Sequence, residues 1–407
     1  MLHQPRALKD WLRAKRDYLV LPPAAKAEHR RDRQGPPEAD PGIEPAVDAA
    51  LGWLGRAQDR SATSDGGVAR HYSLVGGWAP SYPETTGYII PTLLDCARIS
   101  GNESFRRRAQ SMLDWLVSIQ LDGGGFQGGM IGQTPVKPVT FNTGQILMGL
   151  AAGAKAFDGE PGAAYRQAMH RGADWLVEIQ DDDGCWRKGA TPFAKPGEKA
   201  YETHVAWGLL EAARVAPDKG YGEAALANIR WALTKQQPNG WFADCCLSIP
   251  TQPLTHTIGY VLRGVLEGYL FNNDQTLLAA ARKTADGVMT GLGADGFLPG
   301  RFDADWNGAV DWVCLTGSVQ IAHCWLLLYR ATGETAYRDA AYAANRFVRR
   351  TVSIDGPDET RGGVKGSFPV SGGYGTYEYL NWAAKFFVDA NLLEREIRHA
   401  EAGREQA

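Results

Sequence analysis

The chain has 407 residues, 44% hydrophobic and 22% charged, with 13 Trp and a formal net charge of −3. That composition supports a large core and excludes global disorder, and the near-neutral balance offers no electrostatic basis for binding nucleic acid or an anionic membrane surface. No apolar run reaches the roughly 18 residues that a membrane span requires.

Residues 1 to about 20 read as a short basic amphipathic helix centred on Leu8 to Arg16, with no apolar signal core, so a cytoplasmic protein is expected. A Pro- and charge-rich connector follows to residue 45, residues 46–397 form one array, and 398–407 are a tail. The N-terminal helix is expected to pack on the array or on a second subunit, which would make a homodimer. The six Cys, at 96, 185, 245, 246, 314 and 324, suit small buried hydrophobes better than a disulfide framework.

From residue 46 helical periodicity begins, and it recurs near 84–99, 103–119, 141–157, 162–179, 201–215, 219–235, 256–271, 274–290, 312–331, 335–351 and 375–397. Helices with one polar side, such as that opened by Gly333-Glu334-Thr335, alternate with helices that are apolar nearly all round, such as Gly144 to Leu150. A helix without a polar face must be enclosed. Twelve helices alternating in this way predict two concentric rings of six, an all-α (α/α)6 toroid. A second periodicity agrees: Gln-x-x-x-Gly-x-aromatic occurs at Gln120 to Phe126, Gln180 to Trp186 and Gln236 to Phe242, a spacing that holds two helices and two connections.

The enclosed helices begin around a Thr, at Thr85-Thr86, Thr143, Thr203, Thr257, Thr316 and Thr376, each a plausible N-cap or first-turn residue. The connections feeding these starts are the long ones, near 121–140, 181–200, 237–254 and 291–311, and long loops gathered at one mouth are where a site is built.

Gln-x-x-x-Gly-x-Trp/Phe resembles the QW repeat of squalene–hopene cyclases, and the paired-helix toroid is shared with protein prenyltransferases, six-hairpin glycosidases, unsaturated-uronyl hydrolases, sugar 2-epimerases and polysaccharide lyases. Tyr82-Pro83-Glu84-Thr85-Thr86-Gly87-Tyr88, Phe141-Asn142-Thr143-Gly144-Gln145 and Asn381 to Phe387 look like toroid proteins of bacterial surface-polysaccharide gene clusters. The resemblance implies a fold over residues 46–395 and leaves the chemistry open, because this fold hosts many reactions. Asp303-Ala304-Asp305-Trp306 lacks the last Asp of a cyclase acid, and Asp181-Asp182-Asp183 lacks the third carboxylate of a diphosphate site and reads as a solvated turn.

Candidate catalytic residues at the mouth are Glu84, Glu202, His204, His256, Tyr374 and Tyr377, with Trp78, Tyr82, Asn142, Arg301, Trp306, Asp311 and Glu378 as candidate substrate contacts. Acid–base work on a sugar needs a carboxylate pair, or a carboxylate with His or Tyr. The expectation is that Glu84 and Glu202 supply acid and base, His204 and His256 assist, and Tyr374 or Tyr377 donates a proton. A first-turn Glu also simply complements a helix dipole, and a His at a helix start is equally explained by a hydrogen bond to a neighbouring Thr. Trp78 and Trp306, in Gly-rich loops, suit stacking on sugar faces, whereas Trp186 and Trp241 suit structural turns. Arg301 and Lys188 suit a uronate carboxylate or a surface role.

No cofactor is expected. A subsidiary reading assembles zinc from Cys245, Cys246, His256 and Cys314, although the chain lacks the tight Asp-x-Cys spacing of zinc toroids. The favoured function is a carbohydrate-active enzyme on an acidic or carrier-linked glycan, acting as a uronate epimerase, lyase or glycoside hydrolase on a small-molecule or oligosaccharide substrate. The alternatives are an isoprenoid cyclase or prenyltransferase, and a toroid that binds glycan or protein without catalysis.

Overall fold

The computed structural model describes residues 18–192 and 194–405. The helix expected at 8–16 lies outside them. Twelve helices build the rings. The inner ring is α3 (Pro83–Ser100), α5 (Thr140–Ala156), α7 (Thr203–Val215), α9 (Thr255–Asn272), α11 (Leu315–Thr332) and α13 (Asn381–Glu405). The outer ring is α2 (Ile43–Asp59), α4 (Glu103–Ile119), α6 (Gly159–Ile179), α8 (Tyr221–Leu233), α10 (Gln275–Met289) and α12 (Thr335–Thr351). Each inner helix packs on its two inner neighbours and on the outer helix that follows it. The last inner helix, α13, closes the ring on α3 and pairs with α2, the first outer helix. The (α/α)6 toroid expected from the alternating polar and apolar helices is the observed fold.

A turn glycine holds each outer helix to the next. Gly66, Gly124, Gly184, Gly240, Gly296 and Gly362 all have φ between +78° and +102°, the region open to glycine without strain. A Cβ on Gly124, Gly184, Gly240, Gly296 or Gly362 would overlap the backbone at Arg171, Ala227, Lys283, Ala343 or Ala49 respectively, and Gly66 sits more loosely beside Ser111. Gly362 against Ala49 is the contact that closes the circle. The three Gln residues brace the same joints. Gln120 Nε2 donates to Gly124 O at 2.8 Å and to Ala168 O at 2.9 Å. Gln180 repeats the pattern on Gly184 O and Ala224 O, and Gln236 reaches Ala280 O and Thr284 Oγ1.

Five of the expected Thr starts prove to be first-turn residues; Thr376 lies instead in a turn ahead of Glu378, and the last inner helix begins only at Asn381 rather than near 375. Thr86 Oγ1 donates to Tyr82 O and accepts from Val68 N, and Thr143 Oγ1 accepts from Phe126 N. The N-cap positions themselves, Tyr82, Val139, Glu202, Leu254 and Cys314, make no side-chain cap bond.

Short strands staple the loops at this end. β1 (His71–Ser73) lies between β2 (Gly77–Trp78) and β5 (Glu378–Leu380), both antiparallel, and β3 (Val313–Cys314) pairs antiparallel with β4 (Ser367–Phe368). Within the expected connector lies a helix, α1 (Pro23–Asp32). Its apolar periodicity is weak because charge, not apolar burial, docks it: Lys365 Nζ, 2% exposed in its side chain, donates to Asp32 Oδ1 at 2.6 Å and to Glu28 Oε1 at 2.9 Å. Asp32 Oδ2 also accepts from Val370 N. At the other terminus α13 continues through Glu405, so most of the expected tail is helical.

Candidate active site

The starts of the inner helices and the loops feeding them enclose a cavity of about 320 Å³. Glu84, Phe141, His256 and Trp382 line it, each the second residue of its helix. Tyr82, Tyr201, Tyr260 and Tyr374 complete the aromatic wall, and Arg70, Met130, Gln133, Thr191 and Leu247 form the rim.

Glu84 is the one carboxyl among the described lining residues. Burial pushes its pKa from the ordinary 4.5 up to about 7, against the opposing pull of the Tyr82 hydroxyl and of Arg70. Tyr82 Oη stands 2.5 Å from Glu84 Oε2. Near neutral pH this acid is poised between its two forms, as proton transfer requires.

His256 is the complement. Burial lowers its pKa to about 4, so the ring is neutral. Its Nδ1 lies 2.7 Å from Gln320 Oε1. An amide oxygen only accepts, so Nδ1 carries the hydrogen and Nε2 keeps its lone pair for the cavity. Tyr374 is oriented too: Trp382 Nε1 donates to its hydroxyl at 3.0 Å, which leaves the phenol hydrogen free to donate elsewhere. Arg70 brings the cation. Its guanidinium lies 5.0 Å above the Trp382 ring and 3.3 Å from Glu378.

Of the residues expected at the site, Glu84, His256, Tyr374 and Tyr82 converge on this cavity. Other expected residues lie elsewhere. Glu202 is buried outside the cavity lining, its pKa pushed up to about 8 by burial. It therefore does not face Glu84 across the cavity as a second carboxylate. His204 is fully buried behind Phe141 and Tyr260, with Nδ1 2.6 Å from Gln145 Oε1. Asn142 is also fully buried and outside the cavity lining, its amide next to the Tyr82 hydroxyl. Tyr377 points away, its hydroxyl 2.9 Å from His29 Nδ1 of α1. Trp78 packs on Trp53 and Tyr72. Trp306 donates to Asn239 O and packs on Phe302, a structural joint. Arg301 donates to Gln252 O, Asp311 is exposed, and Glu378 is paired with Arg70 and His71. For Asn142 and His204, which sit in the first turn of a helix, each step along the chain turns through about 100°, so proximity in sequence to the Thr motif does not select the face.

Arg70, Phe141, Tyr201, Tyr260 and Trp382 were not singled out as site residues by the sequence argument. Phe141 and Tyr201 each precede a Thr by two residues, as Glu84 precedes Thr86, a register that would have found them. Arg70 lies on the approach to β1 and carries no signal of its own. The four proposed zinc ligands do not gather: among the described residues no group of three or more His, Cys, Asp or Glu is placed to hold a metal. Cys245 Sγ lies instead 3.3 Å from Thr257 O.

No helix among the described residues is long and apolar enough to cross a membrane. No family model matches the chain, and no curated protein matches it. Solved structures do. The chain is similar to an unsaturated glucuronyl hydrolase specific for heparin, at 16% identity over 89% of this chain and 99% of that one, TM-score 0.70. It is similar to the unsaturated glucuronyl hydrolase of Bacillus sp. GL1, responsible for the degradation of glycosaminoglycan, at 17% identity over 87% and 97%, TM-score 0.66. A D-mannose isomerase aligns at 11% identity over 89% and 99%, TM-score 0.68. At these identities the likeness establishes the fold, a toroid shared with sugar-processing enzymes.

Proposed function

We propose that the protein is a carbohydrate-active enzyme that transfers protons on a uronic-acid residue of a glycan. The observation that carries this is the pairing, in one aromatic-walled cavity, of a carboxyl raised to about 7 with a neutral imidazole. His256 Nε2 takes the hydrogen from the carbon next to the substrate carboxylate. The electron pair moves into that carboxylate, whose growing charge Arg70 offsets. Glu84 then gives its proton either to the same carbon from the other face, which epimerises it, or to the departing glycosidic oxygen, which completes an elimination. Trp382 and Tyr260 provide faces for the sugar ring.

The neighbours whose names specify glucuronyl and mannose substrates support a sugar ligand. With one carboxyl in the lining, a two-carboxylate hydrolysis is the less favoured route. Six buried, unpaired cysteines support a reducing cytoplasm. The aromatic walls formed by Phe141, Tyr201, Tyr260 and Tyr374 favour a second reading, an isoprenoid substrate.

The test incubates the enzyme with saturated and unsaturated uronides in deuterated water. Deuterium at the carbon next to the carboxylate marks epimerisation, new ultraviolet absorbance marks elimination, and loss of that absorbance from an unsaturated uronide marks hydrolysis. Glu84→Gln and His256→Phe should each abolish the signal, and Arg70→Met should raise KM. Thermal stabilisation by isoprenyl diphosphates alone, without any uronide reaction, would overturn the proposal in favour of the second reading.

A further inference from the structure

The far end of the barrel carries a second cavity of about 560 Å³, lined from α3, α7, α9, α11 and α13. Aromatic rings partition it from the first: the Phe386 ring lies tilted 5.3 Å from Tyr88 and edge-on 6.4 Å from Tyr260, and Lys385 Nζ lies 4.4 Å from the Phe386 ring. Tyr260 faces one cavity and Lys385 the other.

We propose that this second cavity is a binding site for a small oxyanion, a phosphate or a carboxylate, held by Lys385, Arg263 and His323. Lys385 and Arg263 flank the Trp207 ring at 6.0 and 4.1 Å. Lys385, 3% exposed in its side chain, gives one bond to Asp389 Oδ2 at 2.6 Å, which leaves two ammonium hydrogens. Arg263 gives Nε and Nη2 to Glu267 Oε1, which leaves Nη1. His323 Nδ1 is buried without a partner.

The acids nearby are already engaged. Asp389 accepts from Thr92 on Oδ1 and from Lys385 on Oδ2, Glu267 is shared between Arg263 and Arg214, and Asp95 pairs with Arg98. Glu396, the remaining acid of the lining, pairs with Arg330, so unused donor hydrogens remain on Lys385, Arg263 and His323. Helix dipoles do not explain the cations. Lys385 is the fifth residue of α13, and Arg263 and His323 are the ninth of α9 and α11, all more than a turn from a helix C-terminus. Each cation is already neutralised by its own carboxylate, so what a bound anion would gain is the donor hydrogens that Asp389 and Glu267 leave unused.

The experiment is a thermal-shift titration with inorganic phosphate and, separately, acetate, each against sodium chloride at equal ionic strength. Wild type and Arg70→Met should both gain on the order of 3 °C at saturation in at least one arm, and the responding arm distinguishes a phosphoryl from a carboxylate ligand. Lys385→Met/Asp389→Leu, which removes a charge pair rather than stranding one charge, should gain nothing. If that variant does not fold, His323→Leu should weaken the response at least tenfold in ligand concentration. No rise in wild type, a rise that survives both variants, or a rise lost with Arg70→Met would overturn the assignment. None of these outcomes depends on the chemistry proposed for the first cavity.

Discussion

His256 Nδ1 and Gln320 Oε1 are 2.7 Å apart, and the same pairing recurs between His204 and Gln145 at 2.6 Å. In both, an inner-helix histidine is held by a glutamine of an adjacent inner helix. Only the first pair opens onto the active cavity; the second is sealed beneath Phe141. The glutamine therefore sets the tautomer of the imidazole proposed as the base, without charging it.

Replacing that glutamine with an acid tests this role. In Gln320→Glu a carboxylate beside Nδ1 stabilises the imidazolium, raising the His256 pKa from about 4 by one unit or more. A base works only when deprotonated, so the acid limb of the kcat/KM profile should move to higher pH by the same amount. Gln320→Leu should lower kcat with no such displacement of the limb.

Glu84 makes a stability prediction independent of substrate. Its folded pKa, about 7, lies above its ordinary 4.5, so the native state binds the extra proton between those values. Stability contributed by the neutral form is complete below pH 4.5 and is lost as pH rises through 7. Glu202 acts in the same sense up to about 8. Glu84→Gln should thus be more stable than wild type at pH 8, by at most about 3 kcal/mol, with no difference at low pH. Urea unfolding at the two pH values measures it.

Gly362→Ala should be costly far beyond an ordinary surface change. It places a Cβ at φ +78° and into the Ala49 backbone at the seam of the ring. A loss of about 3 kcal/mol or more is expected. Gly333→Ala, also at positive φ but with open space around it, should cost about 1 kcal/mol. Equal losses in the two variants would show that the seam contact is immaterial.

Lys365→Met should unclasp α1. It strands Asp32 as a buried carboxylate and leaves Glu28 only Arg31 as a cationic partner, at a cost of about 3 kcal/mol. Because Tyr374 sits on the loop that Lys365 anchors, limited proteolysis should cut between residues 352 and 380 faster than in wild type, and kcat should fall.

The rings were legible in the sequence because their cause is periodic. Enclosed helices must be apolar all round, outer ones need a polar face, and each joint needs a glycine where two backbones touch. The Gln-x-x-x-Gly-x-aromatic copies marked three joints; the other three, at Gly66, Gly296 and Gly362, keep the glycine without the glutamine and were invisible to that pattern. The helix α1 was missed because buried ion pairs to residues more than 300 positions away hold it, and such partners leave no local periodicity.

The candidate site divides in the same way. Sequence alone determined which end of the barrel gathers reactive side chains, since helix starts and long loops coincide there, and it named Glu84, His256, Tyr374 and Tyr82. Only the tertiary structure decided that Glu202, His204 and Asn142 lie behind the wall and that Arg70 comes forward. Along a helix each residue turns about 100°, so one position in register separates a cavity-facing group from a buried one, and that register is set by how six helices pack around a common axis.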